Sequence, residues 1–95
     1  LTLWLTNWLF PADGLGDLAA WRAERDAMLA VLPTLHATVV FVSNEVGWGV
    51  VPISREVRDF VDELGWVNQA VAQQCGQLTL MVAGQAWSRP VEVHP

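Results

Sequence analysis

Leu1, Trp4, Leu5, Trp8 and Leu9 recur at intervals of three and four, the spacing of one apolar face of a helix, with Thr2 placed as its cap and Pro11, Asp13 and Gly14 placed to end it. A second stripe of Leu18, Trp21, Arg25, Met28, Leu29 and Leu32 predicts a helix over residues 15–32, stopped by Pro33, with Arg22, Glu24 and Asp26 facing solvent. Residues 37–42 then form an uninterrupted, β-branched apolar run, which predicts a strand buried on both faces of a parallel sheet. Past a glycine-spaced loop, Ser54 is placed to cap a long helix whose apolar side is Val57, Phe60, Val61, Leu64, Val67 and Val71. Gly65 inside that helix costs about 1 kcal/mol relative to alanine, which predicts close backbone packing there. Gly76 ends the helix, and residues 78–82 predict a second strand. Strand, helix and strand in this order predict a right-handed βαβ unit.

Composition bounds what such a chain can do. Its 95 residues suit one small domain, yet 53% of them are hydrophobic and the mean hydropathy is +0.31. A domain of this size buries only about 60–65% of its unfolded surface, so the excess apolarity predicts faces meant for further polypeptide. Five arginines against ten acids leave a net charge of −5, with no basic cluster to neutralise a phosphate backbone, which argues against nucleic-acid binding. No apolar stretch reaches the roughly 20 residues that cross a bilayer, and residues 1–10 lack the basic leader of a signal peptide, so a cytoplasmic protein is expected. Cys75, the single cysteine, allows neither an internal disulfide nor a cysteine-rich zinc site and reads as a small buried apolar group. Six tryptophans with no tyrosine read most simply as core or interface residues where they fall on apolar faces, at Trp4, Trp8 and Trp21.

Candidate chemistry concentrates where Val42 gives way to Ser43, Asn44 and Glu45, because ligands of open α/β sheets gather beyond the carboxyl ends of the strands. A carboxylate and an amide there can orient a base or ribose, hold a magnesium-bound water, or position an attacking hydroxyl. They can equally brace the following loop through side-chain to backbone hydrogen bonds. Gly47 and Gly49 allow positive φ or close approach of a ligand, and Trp48 between them is either a stacking surface or a plug against another subunit. Thr2 reads by itself as a helix cap. Ser43, Asn68 and Gln69 read as structural. His36 and His94 have no second ligand at useful spacing, so no metal site is expected.

Three blocks carry a resemblance: LTLWLTNWLF at residues 1–10; VSNEVG followed by G-x-V-P at residues 42–52; and the run from Arg58 through Leu64-Gly65, Asn68-Gln69 and residues 80–84. In this order they resemble the bifunctional adenosylcobinamide kinase and adenosylcobinamide-phosphate guanylyltransferase enzymes of cobalamin biosynthesis, over the C-terminal part of a typical member. The resemblance implies an α/β, P-loop NTPase-like (RecA-like) mostly parallel sheet with flanking helices, of which residues 1–95 are the C-terminal part of a single nucleotide-binding domain. It implies GTP, ATP and magnesium as cofactors, adenosylcobinamide as substrate, and a homo-oligomer with sites between subunits.

The same resemblance places the phosphate-cradling loop, the guanylylated histidine and an acidic strand-end residue ahead of Leu1. The chain contains no lysine, so the motif GxxxxGK[ST] occurs nowhere in it. Neither His36 nor His94 corresponds to the guanylylated residue. The expectation is therefore a segment without catalytic residues of its own, inactive alone and prone to assemble, that supplies Glu45, Asn44, Thr2, Gly47 and Trp48 to a nucleotide or substrate site completed by the missing N-terminal half. The alternative is a non-catalytic α/β binding or oligomerisation module.

Overall fold

A computed structural model describes residues 1–45 and 54–92. Helix α1 (Thr2–Leu9), helix α2 (Leu18–Val31) and helix α3 (Arg55–Gln74) surround one small core, and strands β1 (Gln77–Val82) and β2 (Gln85–Pro90) follow as a hairpin. Each helix turns most of the stripe that its periodicity marks toward the core, although Val57 at the start of α3 stays exposed. Leu5 of α1, Trp21 of α2, and Leu64, Val67 and Val71 of α3 form the buried cluster, with Trp4, Trp8, Leu18, Met28, Phe60 and Cys75 packed around it. The Trp4 and Trp21 rings meet edge to face, 4.7 Å between centroids, a favoured aromatic geometry.

Local chemistry sets the helix limits. Helix α2 starts later than the apolar stripe alone predicts, because the Asp17 carboxylate accepts the backbone N–H of Ala20 at 2.9 Å and so caps the first turn. Ser54 caps α3 in the expected way, its hydroxyl accepting from Val57 N–H at 3.2 Å. Between α1 and α2 the loop folds back tightly: Asp17 N–H donates to the Trp8 carbonyl at 3.0 Å. The site of a Cβ on Gly16 would stand 2.2 Å from the Leu9 carbonyl oxygen, so only glycine fits that crossing. Gly65 is different. A Cβ there would meet nothing within 4 Å, and the close packing expected of it is absent among the described residues.

The sheet corrects the sequence reading. The segment expected to be extended, residues 37–42, is neither helix nor strand, bends at Ala37 and pairs with no strand among the described residues, and the only sheet there is the two-stranded antiparallel β1–β2 hairpin. The segment expected as a second parallel strand turns back at once, with Val82 facing Gln85 and Gln77 facing Pro90. Ala83 and Gly84 form the two-residue turn, both at positive φ (50° and 73°), as the hairpin turns that match strand twist require. The mostly parallel sheet and the βαβ unit are thus not formed by these residues, although the chain remains α/β. Parallel pairing needs neighbours that are distant in sequence, whereas a two-residue turn pairs β1 with what immediately follows it.

Apolar surface is left open accordingly. Leu78, Leu80, Met81, Val82 and Trp87 of the hairpin are exposed, as are Val39, Val40 and Val42 of the 37–42 segment. No helix among the described residues is long and apolar enough to cross a membrane.

Candidate functional site

The carboxyl end of the 37–42 segment is held from two sides. Leu1, the N-cap of α1, makes no side-chain capping bond, and Thr2 does not cap the helix either. Its hydroxyl instead donates to Asn44 Oδ1 at 2.8 Å, while the Leu1 amine donates to the Val42 carbonyl at 2.8 Å. From the other side, Asn68 of α3 accepts the Ser43 hydroxyl on Oδ1 at 2.6 Å and donates from Nδ2 to the Asn44 carbonyl at 3.0 Å. Residues far apart in sequence meet here because α1 and α3 both pack on the core cluster and Phe41 is partly buried against it. The result is an exposed polar edge.

Two of the expected site residues, Thr2 and Asn44, are therefore in direct contact, and Glu45 follows them with its side chain exposed. Gly47 and Trp48 lie outside the described residues, as does His94. His36 is exposed in the connector before the 37–42 segment. Because Thr2 occupies the Asn44 side-chain oxygen, the Asn44 amide N–H groups are left as donors, and Glu45, next in the chain and exposed, adds a carboxylate acceptor to the same edge. An amide donor can bind an acceptor oxygen, and a carboxylate a hydroxyl or a hydrated cation. The two shallow hollows on the described surface, one lined by Gly76 and Ser88–Pro90 residues of the hairpin and the other by Phe10, Gly16 and Asp59, do not reach it.

A second constellation escaped the sequence reading. The buried Glu63 carboxylate accepts the Trp21 indole N–H at 3.0 Å and Arg25 Nη1 at 2.9 Å, and Arg22 reaches its other oxygen through Nη2 at 3.0 Å and Nε at 3.3 Å. Arg25 also stacks over the Trp66 ring at 3.7 Å and pairs with Asp26. Arg22, expected to face solvent, is half exposed and also bound to Glu63. Its guanidinium is held above its ordinary pKa chiefly by the hydrogen bond to Glu63 and next by that carboxylate's charge, with desolvation opposing and Asp59 adding to the rise. The signal in the sequence was Arg25, a charged residue inside an apolar stripe. With no buried side-chain polar atom left unpartnered among the described residues, it joins α2 to α3 rather than offering free chemistry.

Comparison with known proteins bears on the family of the chain. The family described as cobinamide kinase / cobinamide phosphate guanyltransferase matches residues 1–88. The chain belongs to this family. The bifunctional adenosylcobalamin biosynthesis protein CobP of Pseudomonas aeruginosa is 45% identical over 84 residues, covering 88% of this chain and 46% of the relative. The bifunctional adenosylcobalamin biosynthesis proteins CobU of Escherichia coli and Salmonella typhimurium are each 38% identical over 93 residues, covering 88% of this chain and 51% of each relative. The chain thus spans about half the length of the curated relatives it matches, over their C-terminal part.

Proposed function

We propose that this chain supplies one wall of the nucleotide and substrate site of a bifunctional enzyme of cobalamin biosynthesis. That enzyme phosphorylates the aminopropanol hydroxyl of adenosylcobinamide with ATP or GTP, then transfers GMP from GTP to the phosphorylated product, releasing pyrophosphate and yielding adenosylcobinamide-GDP. The observation that carries the reading is the meeting of Thr2 and Asn44, with Glu45 alongside, in a chain of this family. Thr2, Asn44 and Glu45 bind and orient, and Gly47 and Trp48, shortly after them in the chain, are proposed to contribute to the same site. The Glu45 carboxylate suits magnesium, which keeps most of its waters and takes one or two carboxylates beside the phosphates. Glu45 is the residue that would hold it, and the ion would supply neutralisation of phosphate charge.

Phosphoryl transfer depends on positioning and charge neutralisation, so the phosphate-gripping wall must come from elsewhere. In this reading residues 1–95 are the C-terminal part of a single P-loop NTPase-like domain, the N-terminal half provides that wall, and the segment alone is inactive. The enzyme works in the cytoplasm as a homo-oligomer, which also suits the open apolar faces.

The test is GTP binding by calorimetry, on this segment and on the same chain extended by its upstream half. Binding only by the extended protein, weakened several-fold by Glu45→Gln, is expected. Equal binding in wild type and variant would remove Glu45 from the site, and an extended protein that binds no nucleotide would favour a non-catalytic module.

A further inference from the structure

We propose that Asn68 is a positioning residue for this site: its amide sets the backbone of Ser43 and Asn44 and thereby aims the Asn44 side chain and the Glu45 carboxylate at the ligand. The inference rests on the proposed site at Thr2, Asn44 and Glu45. Asn68 of α3 clasps the end of the segment that leads to this site: its Oδ1 accepts the Ser43 hydroxyl at 2.6 Å and its Nδ2 donates to the Asn44 backbone carbonyl at 3.0 Å.

The support behind that amide is rigid. Asn68 directly follows buried Val67, and Leu64 and Val71 on the same helix are also buried, so the amide projects from the best anchored part of α3. A site residue on an irregular segment is placed accurately only when its neighbours are locked in this way. Thr2 adds the complementary restraint, since its hydroxyl on Asn44 Oδ1 selects which end of that amide is turned outward. With the backbone fixed by Asn68 and the side chain fixed by Thr2, the site presents an N–H donor and reads an acceptor oxygen on the ligand, such as a phosphoryl, carbonyl or ribose oxygen.

The chemistry of the clamp separates this role from simple stabilisation. Asn68→Asp keeps the shape and the acceptor for Ser43 but loses the donor to Asn44, whereas Ser43→Ala removes the other bond alone. The experiment measures the dissociation constant of GTP with magnesium and the melting temperature, on the full polypeptide carrying Asn68→Asp, Asn68→Ala, Ser43→Ala, the double Ser43→Ala/Asn68→Ala, or Asn44→Ala. Asn68→Asp and Asn68→Ala are expected to weaken GTP binding by about fivefold, the scale of one hydrogen bond, in protein that still melts cooperatively. Ser43→Ala should act in the same direction, and the double variant should be no weaker than Asn68→Ala, because both act through one clamp.

If Asn44→Ala weakens binding while the Asn68 variants alter only the melting temperature, Asn68 is structural and the inference is overturned with the site intact. Additive losses in the double variant would overturn it as well. If Asn44→Ala leaves GTP binding unchanged, the site reading itself fails, and this inference with it. Should the Asn68 variants not fold, unchanged GTP affinity in Ser43→Ala would overturn the clamp.

Discussion

Trp21 donates its indole N–H to the carboxylate of Glu63 at 3.0 Å, a bond that joins α2 to α3 in the middle of the core. Both partners are almost fully buried, and the remaining lone pairs of Glu63 are taken by Arg25 and Arg22. Removing the carboxylate leaves buried donors without acceptors, which is far costlier than never having built the pair. Glu63→Ala is therefore expected to lower stability by about 3–5 kcal/mol, read as the loss of urea midpoint in equilibrium unfolding. A loss below about 1 kcal/mol, the worth of an exposed pair, would show that the cluster is not the brace between the helices.

The two arginines on that carboxylate should behave unequally. The Arg25 side chain is 11% exposed and sandwiched between Glu63 and the Trp66 ring, whereas that of Arg22 is 52% exposed. Arg25→Ala is expected to cost at least about 2 kcal/mol, because truncation strips a buried carboxylate of its closest partner and uncovers Trp66. Arg22→Ala should cost distinctly less, because solvent screens that half-exposed pair. Comparing the two denaturation curves checks the ordering, and equal losses would contradict it.

Two glycines predict opposite signs. Gly16→Ala forces a methyl group into the Leu9 carbonyl and must open the α1–α2 crossing, so it should destabilise by about 1–3 kcal/mol, the usual range for overpacking. Gly65→Ala meets open space inside α3 and should stabilise by up to about 1 kcal/mol through helix propensity alone. Thermal melts of both variants decide this. A destabilised Gly65→Ala would reveal a neighbour that the described residues do not include.

Ala83 occupies the left-handed region at φ 50° without the freedom of glycine. Its methyl group makes that conformation cost about 1–2 kcal/mol, and asparagine tolerates it better. Ala83→Asn places Asn-Gly in the turn, the preferred pair for a two-residue hairpin, and should raise the melting temperature. Proline at the same position should unravel the hairpin, seen as loss of the cross-strand amide contacts between Val82 and Gln85 in NMR spectra, because its ring fixes φ near −65°.

Exposed apolar groups on both the hairpin and the 37–42 segment predict association. Leu78, Leu80, Met81 and Trp87, with Val40 and Val42, are more than two-fifths exposed, and a lone hairpin is marginal in water without a face to pack on. Residues 1–95 expressed alone should therefore sediment as assemblies or precipitate, whereas Leu80→Lys with Trp87→Ser should shift the material toward monomer. A sharp monomeric unfolding transition at low concentration in the unsubstituted segment would refute the expectation.

The helices were legible because their information is local. The stripes through Leu5, Trp21, Leu64, Val67 and Val71 recur with the helical period and became the core, and the Ser54 cap could be read from one residue and its neighbours. Asp17 overrode the stripe at the start of α2 because a capping carboxylate outweighs one further apolar residue. The hairpin was misread for a related reason. Leu78 to Val82 look alike in a parallel or an antiparallel strand, and only the two-residue turn at Ala83-Gly84 distinguishes them.

Sequence by itself determined the three helices, their buried stripes and membership of the family, since periodicity, caps and ordered motifs all reside in short stretches of chain. It also marked Thr2, Asn44 and Glu45 as candidates. Only the tertiary structure decided that Thr2 and Asn44 touch, that Asn68 holds the backbone between Ser43 and Glu45, and that Glu63 gathers Trp21, Arg22 and Arg25. Those contacts join residues 24 to 42 positions apart. No local pattern encodes them, because each exists only once apolar packing has met the entropy of closing the chain between its partners.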